Sequence, residues 1–173
     1  MINPFWGNIF QHEEDPSLLK IEDFLVHIPI FSNLTRRELK KTALIIHERH
    51  YHQGEVMFQM GHPGAAMFII KTGTVEIIIP PKEESDNPIV LAELKSGSFL
   101  GELALLDDSP RSAAAVVSED SIAYAFFRSD LNRLIDSDPA IGSKILKELA
   151  LIIGQRLKAT NKQFQQLQHQ QHS

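Results

Sequence analysis

Glu102 and Arg111 are the pair most able to do chemistry in this chain. They stand nine positions apart in Gly101-Glu102-Leu103-Ala104-Leu105-Leu106-Asp107-Asp108-Ser109-Pro110-Arg111-Ser112-Ala113-Ala114, where most of the other residues are apolar or small. Ionised side chains in such company are costly unless something pairs them. The chemistry that fits is recognition: a ligand with one anionic group and one sugar hydroxyl satisfies both, which points to a nucleotide. Spacing alone leaves a second reading open, a structural Glu102–Arg111 ion pair at a barrel corner.

The elements that must position the pair follow from their neighbours. Gly97 and Gly101 flank Phe99-Leu100 as turn residues, and Leu103 to Leu106 is too short and too apolar for a surface helix. A single buried helical turn opening at Gly101-Glu102 presents backbone N–H groups and a positive dipole end to phosphate, and glycine there admits close approach. Asp107 to Pro110 is a polar turn, with Pro110 holding Ser109 extended. Arg111 then leads into a strand, Ala113 to Val117. Its planar guanidinium forks onto phosphate oxygens, whereas lysine offers only a point charge. Ionised Glu102 accepts from a ribose hydroxyl. Ser112 adds a hydroxyl, and Ala113-Ala114 leave room for a ligand.

The stretch GELALLDDSPRSAA resembles the phosphate-binding cassette of cyclic nucleotide-binding domains, the module of bacterial catabolite activators and protein kinase A regulatory subunits. Ile28-Pro29-Ile30-Phe31-Ser32-Asn33-Leu34 is similar to that family's N-terminal helical linker. Gly54-Glu55-Val56-Met57-Phe58, Gly61, Gly64, and Phe68 through Ile77 are similar to its first barrel strands. The likeness runs from about Leu18 to Leu167. It implies phosphate on Gly101, Leu103, Ala104, Arg111, Ser112 and Ala113, ribose on Glu102, and an apolar base wall including Ile77 and Leu91. As bare residues Ile77, Ile79 and Leu91 are ordinary core.

The order of elements is helices, strands, helices. Pro16 to Val26 is expected as a short amphipathic helix, and Thr35-Arg36-Arg37-Glu38 is a capping box opening a second helix to about His47. From His50 to about Arg128 short apolar strands alternate with Gly or Pro turns, the pattern of a barrel or jelly roll. Pro80 to Pro88 is a charged loop. Ser129 is expected to cap a helix through Ile135, and Asp138-Pro139 to open a long final helix. Gly142 and Gly154 either let that helix bend or allow close packing. The expected fold is α+β: an antiparallel β-roll (a jelly-roll-like barrel) flanked by N-terminal helices and a long C-terminal helix. Its divisions are an N-terminal extension (1–15), a helical segment (16–47), a β-roll nucleotide-binding core (48–128), C-terminal lid and dimer helices (129–168) and a disordered tail (169–173).

The final helix carries two apolar stripes. Ile141, Ile145, Leu149 and Ile152 form one, facing the barrel. Leu146, Ala150, Ile153, Leu157, Thr160, Phe164 and Leu167 alternate at four and three residues, a coiled-coil seam interrupted by Thr160. A helix buried on two sides is the plainer account; a parallel homodimer is the sharper one. Arg156-Leu157-Lys158-Ala159-Thr160-Asn161 resembles the helix with which catabolite activators cap the purine. That resemblance puts Thr160 and Asn161 on the base, and Thr160 favours adenine over guanine, so cAMP over cGMP. Ser112 suits either ligand.

His50-Tyr51-His52-Gln53-Gly54-Glu55 imitates the metal element of cupins, a related barrel. However, cupins place the glutamate one position later and add a histidine from a later strand, and Leu91 to Ala125 contains none. A solvent-facing pair is the expectation. Phe5, Trp6 and Phe10 are expected to pack back on the domain, and the Gln/His-rich segment Gln163 to Ser173 is low-complexity. The 173 residues suit one domain with a real core. A charged fraction of 23% and mean hydropathy of -0.13 are ordinary for a globular chain. The net charge of -5 and pI near 5.9 argue against nucleic acid or an anionic membrane as main partner. With no cysteine, disulfides, thiolate metal sites and cysteine catalysis are excluded. No apolar run reaches membrane-spanning length and no signal pattern opens the chain, so the cytoplasm is expected. No room is left after the seam for a helix-turn-helix DNA reader, and no catalytic set appears, so no enzyme is expected. The sequence-level expectation is a stand-alone cyclic nucleotide sensor, cAMP first, a homodimer signalling to an unidentified effector protein. The competing expectation is a ligand-free interaction module of the same fold.

Overall fold

The computed structural model describes residues 20–81, 83 and 87–171, apart from the side chains of residues 167 and 169–171. Phe5, Trp6, Phe10 and the start of the helix expected from Pro16 lie outside these residues, as does part of the charged loop. The chain opens with α1 (Ile21–Leu25), a 3-10 turn (Pro29–Phe31) and α2 (Arg36–Ala43). The capping box at α2 is complete: Glu38 N donates to Thr35 Oγ1 at 3.3 Å, and Thr35 N donates to Glu38 Oε2 at 2.7 Å. α2 ends at Ala43 rather than near His47. The residues from Ile46 are claimed by β1 (Ile46–Tyr51), which pairs along its whole length with β6, from Ile46 opposite Phe126 to Tyr51 opposite Ser121. A full antiparallel ladder outweighs local helix preference, which the branched Ile45-Ile46 already weakens.

Six strands make one antiparallel sheet in the order β1-β6-β3-β4, with β2 (Val56–Phe58) on β6 and β5 (Phe99–Leu100) on β3. β4 spans Ile89–Leu94. β3 (Ala66–Ile79) and β6 (Ala114–Phe127) are each fourteen residues long, where short strands are expected from the sequence. Register shifts between Ile70 and Val75 bend the pair, so each long strand serves as two. The first part of β3 pairs with β5 and the last with β4, while β6 meets β2 at its start and β1 at its end. Gly73 lies at this bend with φ +83°, and a Cβ there would collide with Ser121 Oγ and the Asp120 carbonyl.

Strand alternation divides the buried residues into two cores. Met67, Ile69, Tyr124 and Phe126 face the helices and pack with Phe24, Phe31, Ile141, Ile145, Leu149 and Ile152. The first apolar stripe of the final helix therefore lies where expected. Ala66, Phe68, Ile70, Ala113, Ala115, Ala123 and Ala125 line the other core, inside the roll. One end of that interior, at Ile77, Leu100 and Ala113, opens into a cavity.

α3 spans Arg128–Ser137. Ser129 does not cap it: Phe127 is the N-cap, and Arg128 N donates to the Ala65 carbonyl at 2.9 Å, so the preceding loop satisfies the helix start. Asp138 accepts from Ile141 N and Gly142 N through its carbonyl and opens α4, Pro139–Gln171. At 33 residues α4 is about 50 Å long. It includes residues 169–171, which the sequence assigns to a disordered tail. Gly142 serves close packing, since a Cβ would come within 2.6 Å of Ile135 Cγ1 on α3, whereas Gly154 faces open space. Among the described residues, no helix is long and apolar enough to cross a membrane.

Candidate functional site

The hollow end of the roll is a cavity of about 570 Å³, within the size range of small-molecule sites. Its floor is the turn the sequence singles out. Gly101 adopts the left-handed conformation, φ +74° and ψ +25°, and starts a 3-10 turn over Glu102–Leu105. Only glycine takes that conformation without strain. The polar turn follows, with Ser109 N donating to Asp107 Oδ1 at 3.1 Å, and returns the chain to Arg111 across the cavity. Gly101, Glu102, Leu103, Ala104, Arg111, Ser112, Ala113, Ile77, Leu91 and Thr160 all line the space. Asn161, although exposed and next in the helix, does not: one residue along a helix turns the side chain about 100° away.

Glu102 and Arg111 are not bonded to each other. Arg111 donates from Nη1 to the Gly101 carbonyl at 3.1 Å and from Nη2 to the Ala66 carbonyl at 2.6 Å. Its Nε is buried without a protein partner. One face of the guanidinium lies 4.2 Å from the Phe58 ring centroid. Burial pulls the guanidinium below its ordinary pKa, with the Glu102 charge acting the other way. The ion pair at the barrel corner, left open by spacing, is therefore absent.

Glu102 pairs instead with Arg156, which reaches down from α4. The two side chains are 9% and 20% exposed, and the Arg156 guanidinium lies 4.8 Å from the Phe99 ring centroid. Five cavity residues are absent from the site expected from the sequence: Phe58, Leu100, Ser109, Pro110 and Arg156, of which only Arg156 is charged. A signal for Arg156 existed: it is four residues before Thr160, on the same helical face. Thr160 Oγ1 donates back to the Arg156 carbonyl at 3.0 Å. Two guanidiniums against one carboxylate leave the charged residues lining the cavity one positive charge in excess, in a chain whose net charge is -5.

The histidines are accounted for separately. His50 contacts Glu48 at 2.9 Å and His52, beyond the end of β1, lies 3.7 Å from Asp120; their side chains are 68% and 84% exposed. Among the described residues no cluster of His, Cys, Asp or Glu could hold a metal.

The antiparallel roll thus encloses a cavity lined by two guanidiniums and one carboxylate, between a glycine-opened turn and the long helix α4. A family model for the cyclic nucleotide-binding domain matches residues 48–138. The chain is 36% identical over 114 residues to the cAMP-dependent protein kinase regulatory subunit of Pyricularia oryzae, covering 66% of this chain and 28% of that protein. It is 31% identical over 130 residues to the cyclic AMP receptor protein of Thermus thermophilus, covering 75% of this chain and 57% of that one. In structure it superposes on the Thermus thermophilus catabolite activator protein with a TM-score of 0.71 at 30% identity, over 81% of this chain and 63% of that one. The chain belongs to the cyclic nucleotide-binding domain family, as the GELALLDDSPRSAA motif indicated. The matched region ends at 138 and so contains the turn and Arg111 but not Arg156, Thr160 or Asn161.

Proposed function

We propose that this protein is a sensor of cyclic AMP. The observation that carries this reading is the excess positive charge in the cavity, formed by Arg111 and Arg156 against Glu102. A cyclic phosphodiester carries one negative charge and neutralises it. The phosphate lies on Arg111, Ser112, Ala113 and the turn from Gly101 through Leu103 and Ala104. The ribose hydroxyl reaches Glu102, which has lone pairs to spare beside Arg156. The base lies between Ile77, Leu91 and Thr160, where the threonine hydroxyl meets the adenine edge; Asn161 contributes only if α4 rotates or a second subunit supplies it. Names among the relatives, a cyclic AMP receptor protein and regulatory subunits of a cAMP-dependent kinase, support the same ligand.

Because Arg156 ties α4 to the turn under the ligand, binding shifts α4 between two positions. Coupling of this kind is about 1–3 kcal/mol in general. That movement is the output, read by an effector protein in the cytoplasm. The second stripe of α4 provides a dimer seam: Leu157 and Phe164 are 59% and 60% exposed, while Leu146 and Ile153 also pack inward. Calorimetric titration with cAMP and cGMP tests the reading. Saturable cAMP binding, at least tenfold tighter than cGMP, is expected. Absence of binding by either nucleotide refutes the sensor, and a tenfold preference for cGMP refutes the adenine assignment.

A further inference from the structure

Arg111 is held from more sides than its two backbone hydrogen bonds require. Phe58 lies under one face of its guanidinium. Phe58 in turn stacks on Phe68, centroids 6.1 Å apart at 29°, and Phe68 meets Tyr51 edge-on at 6.5 Å. This column of three rings is anchored in β1, β2 and β3. Gly64 closes the guanidinium in elsewhere: a Cβ there would lie 2.8 Å from both Cζ and Nε of Arg111, and 2.7 Å from Ala104 Cβ. The φ of Gly64 is not in the left-handed range, so glycine is required there for space and not for conformation. The loop carrying Gly64 is pinned to the backbone of Arg111 itself. Gly61 N donates to the Arg111 carbonyl, and Arg111 N donates to the His62 carbonyl, each at 2.8 Å. Pro63 bridges Pro110 beside them.

We infer that Phe58 and Gly64 are positioning residues, which fix the Arg111 guanidinium before an anion arrives. Arginine is rich in rotamers, and a ligand that must order it loses affinity. The ring column and the glycine wall remove that freedom in the folded protein. Gly64 does not line the cavity, so it acts on a ligand through the lining residues its Cβ would meet, Arg111 and Ala104, and only the first route depends on the guanidinium. Phe58 lines the cavity and stacks on Arg111, so it acts by both routes.

This inference rests on the cyclic nucleotide reading above, and its test separates the two. Dissociation constants for cAMP are measured by calorimetry on the full chain, with thermal unfolding as a check on folding. Gly64→Ala is expected to weaken binding about tenfold. In an Arg111→Lys background the same change is expected to alter the constant less than twofold, because an ammonium does not fill the plane beside Gly64. Phe58→Leu is expected to weaken binding and Phe58→Tyr to restore it; this pair also decides the matter if Gly64→Ala does not fold. If wild type binds neither cAMP nor cGMP, the nucleotide reading fails and this one with it. If wild type binds and Gly64→Ala or Phe58→Leu leaves the constant unchanged, only the positioning role is overturned. Equal weakening by Gly64→Ala in both backgrounds also overturns it, since the effect then does not pass through the guanidinium.

Discussion

Arg156→Ala isolates the link between α4 and the turn that floors the cavity. The substitution leaves Glu102, whose side chain is 9% exposed, without its ion-pair partner, and strips the cation from the face of Phe99. Breaking a buried pair from one side costs about 3–5 kcal/mol. Two features lower that figure here. Arg156 is itself 20% exposed, and the Arg111 charge still attracts Glu102 across the cavity. About 2 kcal/mol is the expected loss. For a domain of this size each kcal/mol moves the melting temperature about 2–4 °C, so a fall of about 4–8 °C follows. Glu102→Gln removes the charge that Arg156 neutralises, so the double variant should regain part of the loss. A thermal and urea double-mutant cycle at pH 7 measures that recovery as a coupling of about 1–2 kcal/mol. If the single variant melts within 1 °C of wild type, or the two changes add within about 0.5 kcal/mol, Arg156 does not hold α4 to the turn.

Glu38 caps α2 and pairs with Lys144 of α4 at 2.8 Å; the Lys144 bond, with the Thr35 amide behind it, lowers the carboxyl pKa to about 2. Its folded value lies below the unfolded one, so its stabilisation is present above about pH 4.5 and is lost as pH falls toward 2. With Lys144 38% exposed, screening leaves about 1–2 kcal/mol; urea unfolding of Glu38→Gln against wild type should show a gap at about pH 6 that narrows below about pH 4.5 and closes only near pH 2, and a gap constant with pH refutes the assignment. Gly142→Ala and Gly154→Ala should change stability in opposite directions. The first forces a methyl group against Ile135 and costs about 1–3 kcal/mol, while the second gains up to about 1 kcal/mol of helix propensity in open space; equal melting temperatures would contradict the packing. For the seam, sedimentation should show a dimer at micromolar concentration that Leu157→Asp dissociates, and a monomer with and without cAMP removes the dimer reading.

The sequence determined the class of fold and the floor of the site because those depend on local chemistry. Glycine at 101 permits a left-handed start to a tight turn, Pro110 and the aspartates reverse the chain, and Thr35 with Glu38 starts a helix wherever the surrounding fold lies. The inward stripe of α4 was legible for the same reason, as a period within one element. The partners of the two charges were not legible. Glu102 meets Arg156 and Arg111 meets two carbonyls and a phenyl ring because the roll brings α4, β2 and β3 together. The end of α2 and the start of α3 were likewise decided by contacts distant in sequence, with Phe126 opposite Ile46 and the Ala65 carbonyl accepting from Arg128. Sequence spacing says which groups need a partner; an ion pair or a strand ladder between distant segments depends on distances that exist only once the chain is folded.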